Sequence, residues 1–231
     1  MALILRIDVD KPFGRSSLFA KVLSKAREEF YFPGLNKLGY LKDLGVFLDF
    51  LDTNSIPAHI YFRNCTAPNA QIINRLRKHK IGFHAENTQT IDTFKHELDA
   101  FRSKFLELNV SSFTKHGSGI FKLGRHHYPP YEPQRYLFWS KELNIEYLFG
   151  NSLWQDQNIT TERYFENMYW IDKSYRTDEQ PSLTAVVDVA KFRNVVILIH
   201  PCNYIADKQV HDDFQRIVEY SKQAAIHWIT L

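Results

Sequence analysis

Asp8 and Asp10, separated only by Val9, close the apolar run Ile4-Leu5-Arg6-Ile7 at the start of the chain, just before Lys11-Pro12. Side chains alternate along a strand, so both carboxylates lie on one side of it while Val9 points to the other. Two carboxylates so close repel unless a cation or a shared proton separates them. Three histidines stand in matching places: His84 after Ile81-Gly82-Phe83, His116 after the run 110–114, and His200 after Val195 to Ile199. Asp oxygen with His nitrogen, leaving a coordination position open, is the donor set of a catalytic metal. A metal at one aspartate and a proton-accepting role at the other resolves the repulsion. Taken singly, each residue also suits a plain structural role, an Asp as a turn or helix cap and a His before Pro201 as a loop residue. The same habit at four strand ends points to a site.

The elements that must position these residues alternate in type. Apolar runs predict strands at 3–9, 56–62, 81–83, 110–114, 145–149, 168–171, 195–199 and 226–231. Helical spacing predicts helices at 17–30, 38–51, 69–80, 90–108, 132–143 and 207–225. The stretch 119–133, rich in Gly, Pro, His and Tyr, reads as a long loop. Strands alternating with helices make a parallel sheet. Short strands spread over 231 residues favour a barrel over an open sheet, in which C-terminal strand ends converge on one face. The chain reads as one α/β domain over residues 1–231.

Composition narrows the classes. A formal charge of +3 is too small to argue for nucleic acid. No run of 18 apolar residues exists to span a membrane, and no signal peptide is visible. The 2 cysteines, Cys65 and Cys202, show no metal-ligand spacing and no disulfide framework, which fits a reducing, cytoplasmic setting.

These residues resemble the polysaccharide deacetylase family, the carbohydrate esterases that remove N-acetyl groups from sugars. "RIDVD" is similar to that family's first motif, and the resemblance implies Asp8 as base and Asp10 as metal ligand. "IGFHAENT" resembles the second motif, whose first histidine falls on His84. "VVILIHP" resembles the last, whose histidine, here His200, acts as general acid. "KHGSG" looks like the His-Gly element of a divergent branch linked to surface-polysaccharide and O-antigen synthesis, and "MYWIDKSYR" is similar to that branch's aspartate-containing strand. The resemblance implies a distorted (β/α)7-type barrel and one divalent metal ion, zinc suiting nitrogen donors. It implies a carbohydrate substrate, an N-acetylated sugar free or linked to a nucleotide or lipid.

The family's second metal histidine is replaced by Thr88, a poor ligand, and its Arg-x-Pro motif is missing, which leaves the support of the base open. His116, Glu86 or a water can complete the metal site; His116, which ends a neighbouring strand, is preferred. Asp172 can orient His200. In "GRHHYPPYEP", Arg125, His126 and Tyr128 offer donors and a ring to a sugar, and Lys11 and Arg15 are candidates for an anionic substrate group or plain surface charge. Two other readings stay open: a different metal-dependent amide or ester hydrolase, and a sugar-binding protein that kept the fold without the chemistry.

Overall fold

The computed structural model describes residues 1–10, 40–117, 128–152, 159–161, 164–172 and 181–231, and the isolated helical positions 18, 19, 22 and 26. Most of the helix expected at 17–30 and of the loop at 119–133 lies outside them. In chain order the strands are β1 (Ala2–Val9), β2 (Ala58–Phe62), β3 (Lys80–Ala85), β4 (Val110–Lys115), β5 (Glu146–Tyr147) and β6 (Phe149–Ser152). They continue with β7 (Ile159–Thr161), β8 (Tyr164–Asn167), β9 (Tyr169–Trp170), β10 (Val195–Ile199) and β11 (His227–Ile229). The helices are α1 (Tyr40–Asn54), α2 (Ala70–Ile73), α3 (Ile91–Arg102), α4 (Pro133–Glu142), α5 (Leu183–Ala190), α6 (Pro201–Ala206) and α7 (Lys208–Gln223).

One sheet runs β5-β4-β3-β2-β1-β10-β9, with β11 added beside the first residues of β1. All its pairings are parallel. A second sheet, β6-β8-β7, is small and mixed.

Strand alternation sorts the side chains between two cores. Leu3, Leu5, Ile7 and Val9 of β1 join Ile60 and Phe62 of β2, Phe83 of β3 and Ile197 and Ile199 of β10 in the larger one. Phe47 and Leu48 of α1, Phe94 and Leu98 of α3 and Phe214 and Ile217 of α7 belong to it too, so the helices cover this face. Ile4, Tyr61, Val196 and Leu198, of opposite parity, form the second core with Leu148, Phe149, Phe165 and Met168 from the region of the small sheet.

That parity explains why the first strand ends on Asp-Val-Asp. Arg6, Asp8 and Asp10 continue the series begun by Ile4, and Val9 continues the helix-side series. The same count carries Val196 and Leu198 to His200, and Gly82 to His84 and Glu86. On β4 it carries Ser112 and Thr114 to His116, past a register shift that restores parity. The face turned from the helices is therefore apolar at depth and polar where the parallel strands end.

Several boundaries differ from expectation. The helix expected at 69–80 is a single turn, α2, capped by Asn69 through Ile72 N (3.0 Å) and followed by a 3-10 turn at Leu76–Lys78. Ile72 and Leu76 are the buried apolar residues there, too little apolar face to sustain a long helix. Helix α3 stops at Arg102, whose guanidinium reaches Val110 O (2.6 Å) and ties the turn to β4. The strand expected at 145–149 divides between β5 and β6, one in each sheet. Helices α5 and α6 and strands β7 and β8 had no expectation.

Gly82 is required by a close approach. A Cβ there would sit 2.2 Å from the Tyr61 ring and 2.8 Å from Ser112 Oγ. Tyr61 is fully buried and accepts a hydrogen bond from Ser112 (3.3 Å), so its ring has no free volume to enter. Gly82→Ala is expected to cost roughly 1–3 kcal/mol, as overpacking does. Thermal unfolding followed by circular dichroism should show a midpoint several degrees lower; an unchanged midpoint would mean the ring relocates freely.

Candidate active site

Asp8, Asp10, His84, His116 and His200 are all buried and meet at the C-terminal ends of β1, β3, β4 and β10. Asp10, His84 and His116 each bring one ligand atom to within 4.8 Å of the others. His116 Nδ1 lies 3.2 Å from Asp10 Oδ1 and 3.1 Å from His84 Nε2, and His84 Nε2 is 3.9 Å from Asp10 Oδ1. Donors at about 2.0–2.2 Å from a tetrahedral zinc stand roughly 3.3–3.6 Å apart, and the three separations bracket that value. Asp10 Oδ1 is buried, and no donor meets it with hydrogen-bond geometry. A carboxylate oxygen facing two imidazole nitrogens in that condition suits a cation, so the donor set fits a divalent metal.

Electrostatics prepare the same state. Burial opposes the charge of Asp10, but His116 foremost, then His84 and Arg63, hold its carboxyl well below the usual range. Burial, supported by the nearby Arg6, Arg63 and His200 and opposed by Asp10, keeps His84 neutral to well below its ordinary pKa. His84 Nδ1 is 2.6 Å from Thr114 Oγ1. A neutral ring that gives its Nδ1 proton to Thr114 presents its lone pair at Nε2, toward Asp10.

On the other side of Asp10, His200 Nε2 is 3.8 Å from Oδ2. Asp172, fully buried after β9, takes hydrogen bonds from His200 Nδ1 (2.5 Å) and His200 N (3.1 Å). Burial disfavours an imidazolium, but the charge and hydrogen bond of Asp172, with Asp10 and Asp8 behind it, push His200 up to about 9. The ring is thus protonated at neutral pH, with Nε2 turned to the carboxylate cluster.

Asp8 is clamped by its own strand. Arg6 donates from Nε to Oδ1 (2.9 Å) and from Nη2 to Oδ2 (2.6 Å), both residues nearly without exposure. The sequence reading missed Arg6, although its position two residues before Asp8 was the signal. A second arginine, Arg63 after β2, engages Glu86 through Nε (2.9 Å) and Nη2 (2.9 Å) and lies 3.7 Å from Asp10 Oδ1. Glu86 is thereby held by a guanidinium, which leaves His116 as the residue nearest Asp10. Thr88 bonds the Tyr136 hydroxyl (3.1 Å), on the helix side. Tyr128 is half-buried and donates its backbone N–H to Glu86 O (3.0 Å), beside the end of β3. Arg125, His126, Lys11 and Arg15 lie outside the described residues.

No protein-family model matches the sequence, and no curated protein sequence is similar to it. Solved structures do match along its whole length. The allantoinase PuuE superposes with a TM-score of 0.56 at 15% identity, over 99% of this chain and 86% of that one. The catalytic domain of a peptidoglycan N-acetylglucosamine deacetylase from Eubacterium rectale gives 0.50 at 13% identity, over 99% and 87%. A family 4 carbohydrate esterase pseudoenzyme from Bacillus anthracis gives 0.51 at 10% identity, over 98% and 62%. The chain carries their fold. Its seven-strand path is the distorted (β/α)7-type barrel of the polysaccharide deacetylase kind, as the sequence motifs implied.

Proposed function

We propose that the protein is a metal-dependent hydrolase that removes an N-acetyl group from a sugar. The observation that carries this reading is the buried Asp10–His84–His116 donor set, flanked by Asp8 on one side and the His200–Asp172 pair on the other. When bound there, a divalent ion, zinc by the character of the donors, supplies Lewis acidity to the acetyl carbonyl and to water. Asp8 takes the proton of the water that attacks the carbonyl carbon. His200, as imidazolium, gives its Nε2 proton to the sugar nitrogen as the C–N bond breaks, and acetate and the free amine leave. Asp172 orients His200 and holds its charge. Arg125, His126 and Tyr128 are the candidates for holding the sugar.

The His116-Gly117 element supports a finer reading, in which the substrate is a precursor of a surface polysaccharide such as O-antigen, carried on a nucleotide or lipid. Two buried cysteines, Cys65 and Cys202, outside any disulfide fit a cytoplasmic place for that step. No helix among the described residues is long and apolar enough to cross a membrane.

One observation favours a second reading. Both oxygens of Asp8 are engaged by Arg6, which occupies two of the lone-pair sites from which a base takes a proton. A sugar-binding protein without turnover would tolerate that. Metal analysis of the purified protein beside release of acetate from N-acetylglucosamine oligomers separates the two. Zinc near one equivalent with acetate release is the expected result. Oligosaccharide binding without acetate release would establish the binding protein, and hydrolysis of allantoin alone would make it a different amide hydrolase.

A further inference from the structure

Strand β6 is irregular where it faces the site. It pairs with β8 at Phe149–Phe165 and again at Ser152–Asn167, so three steps on β6 oppose two on β8. The extra residue lies in Gly150-Asn151, and both turn their polar groups elsewhere. Gly150 O accepts from Arg6 Nη1 (2.7 Å). Asn151 Oδ1 accepts from Arg6 Nη2 (3.3 Å), and Asn151 Nδ2 donates to Lys115 O (2.8 Å). Asn151 N donates to the Tyr131 hydroxyl (3.1 Å). Only one orientation of the amide satisfies both side-chain bonds, the oxygen toward Arg6 and the nitrogen toward Lys115.

These bonds join two parts of the site that no strand pairing links directly. Arg6 is the clamp on Asp8, and Lys115 O belongs to the peptide that leads into His116. The Lys115 ammonium then fastens the next turn through His116 O (2.9 Å) and Gly117 O (2.7 Å), where Gly117 takes a positive φ of 47°. Bulges next to active sites re-aim side chains in this manner.

We propose that Asn151 is a positioning residue that sets the distance between the Asp8 clamp and the His116 corner. It touches no reacting atom; it acts through Arg6 and through the Lys115 carbonyl. The proposal rests on the hydrolase reading for its effect on rate, but not for its effect on geometry. Asn151→Ala removes both bonds. Asn151→Asp keeps the size, but its second oxygen cannot donate to Lys115 O, and its charge competes with Asp8 for Arg6.

The test uses ring ¹H–¹⁵N NMR of the metal-free protein, zinc titration calorimetry and acetate release from N-acetylglucosamine oligomers. Both variants are expected to shift the His116 ring signals while leaving His211, remote on α7, unchanged. Both are expected to weaken zinc about 10-fold, the lower end for loss of an outer-shell partner. Turnover should drop by about 10–100-fold at little change in KM, as small misplacements do. Arg6→Lys keeps the charge and loses the fork, and adding Asn151→Ala to it should cost much less than Asn151→Ala does alone, since contacts in one network are not additive. Unmoved His116 signals, or fully additive losses with a lowered melting point alone, would overturn the proposal and return Asn151 to a packing role. His116 signals that shift in the variants, when the wild-type protein itself releases no acetate, would sink the hydrolase reading and leave the positioning role standing.

Discussion

Asp10→Asn is expected to abolish binding of a divalent ion, whereas Asp8→Asn should bind the ion and lose the proposed hydrolysis. The two residues are chemically alike and 2 positions apart, so the difference must come from their surroundings. Asp10 faces imidazoles and has one buried oxygen with no hydrogen-bond donor. Removing its charge takes the anion from the donor set, and zinc affinity should fall by more than the roughly 10–100-fold that loss of an outer partner costs. Asp8 instead faces Arg6, and His84 Nε2 stands 3.6 Å away. The amide introduced by Asp8→Asn would still accept a hydrogen bond from Arg6 but could not take a proton from water. Turnover should fall by about 10²–10⁴-fold, the range of general acid–base groups. Arg6 then keeps a buried charge without its counter-ion, so this variant should also melt earlier. Zinc content, acetate release and melting temperature on the same preparations read all three. Equal zinc loss in both variants would make the pair a joint ligand set; full activity in both would reduce Asp-Val-Asp to a strand end with capping carboxylates.

The residues that meet in the site were legible because a parallel sheet makes position along a strand equivalent to position in space. An apolar run that ends on a carboxylate or imidazole declares both its direction and its polar end, and β1, β3, β4 and β10 all do so. Parity within β1 also contained Arg6, but a charged residue inside an apolar run reads as an interruption until its partner is seen. Arg63 was less visible, because its partners Glu86 and Asp10 come from two other strands. Asn151 was beyond reach. Its role depends on a one-residue bulge in a strand of 4 residues, too short for any period to register. The same brevity hid β7 and β8, of 3 and 4 residues. Helix α2 failed in the opposite sense: helical spacing continued through 69–80, but strand pairing of His59 with Lys80 claimed the end of the segment.

Removing His200 or Asp172 gives the second large effect, and the two differ in their pH dependence. His200→Ala leaves the donor set intact and deletes the proton donor, so zinc should stay bound while turnover falls by about 10²–10⁴-fold. Asp172→Asn keeps the imidazole and removes the main cause that raises its pKa. In the metal-free protein His200 should titrate near 9, well above the ordinary imidazole value. The raised value stabilises the fold: the contribution is complete below the unfolded value of about 6.5 and disappears as pH climbs through about 9. A divalent ion held on Asp10, with Oδ2 only 3.8 Å from His200 Nε2, would offset part of this pull, so on the hydrolase reading the alkaline limb of the metal-loaded protein is expected to lie lower than the titration of metal-free His200. Asp172→Asn should carry that limb further down, because burial then works against the imidazolium with less to oppose it. Rate profiles from pH 5 to 10 and the His200 ring signals should move together. An alkaline limb that stays in place in Asp172→Asn would assign the proton donor to another group and leave Asp172 as a strand-end cap that holds the His200 backbone.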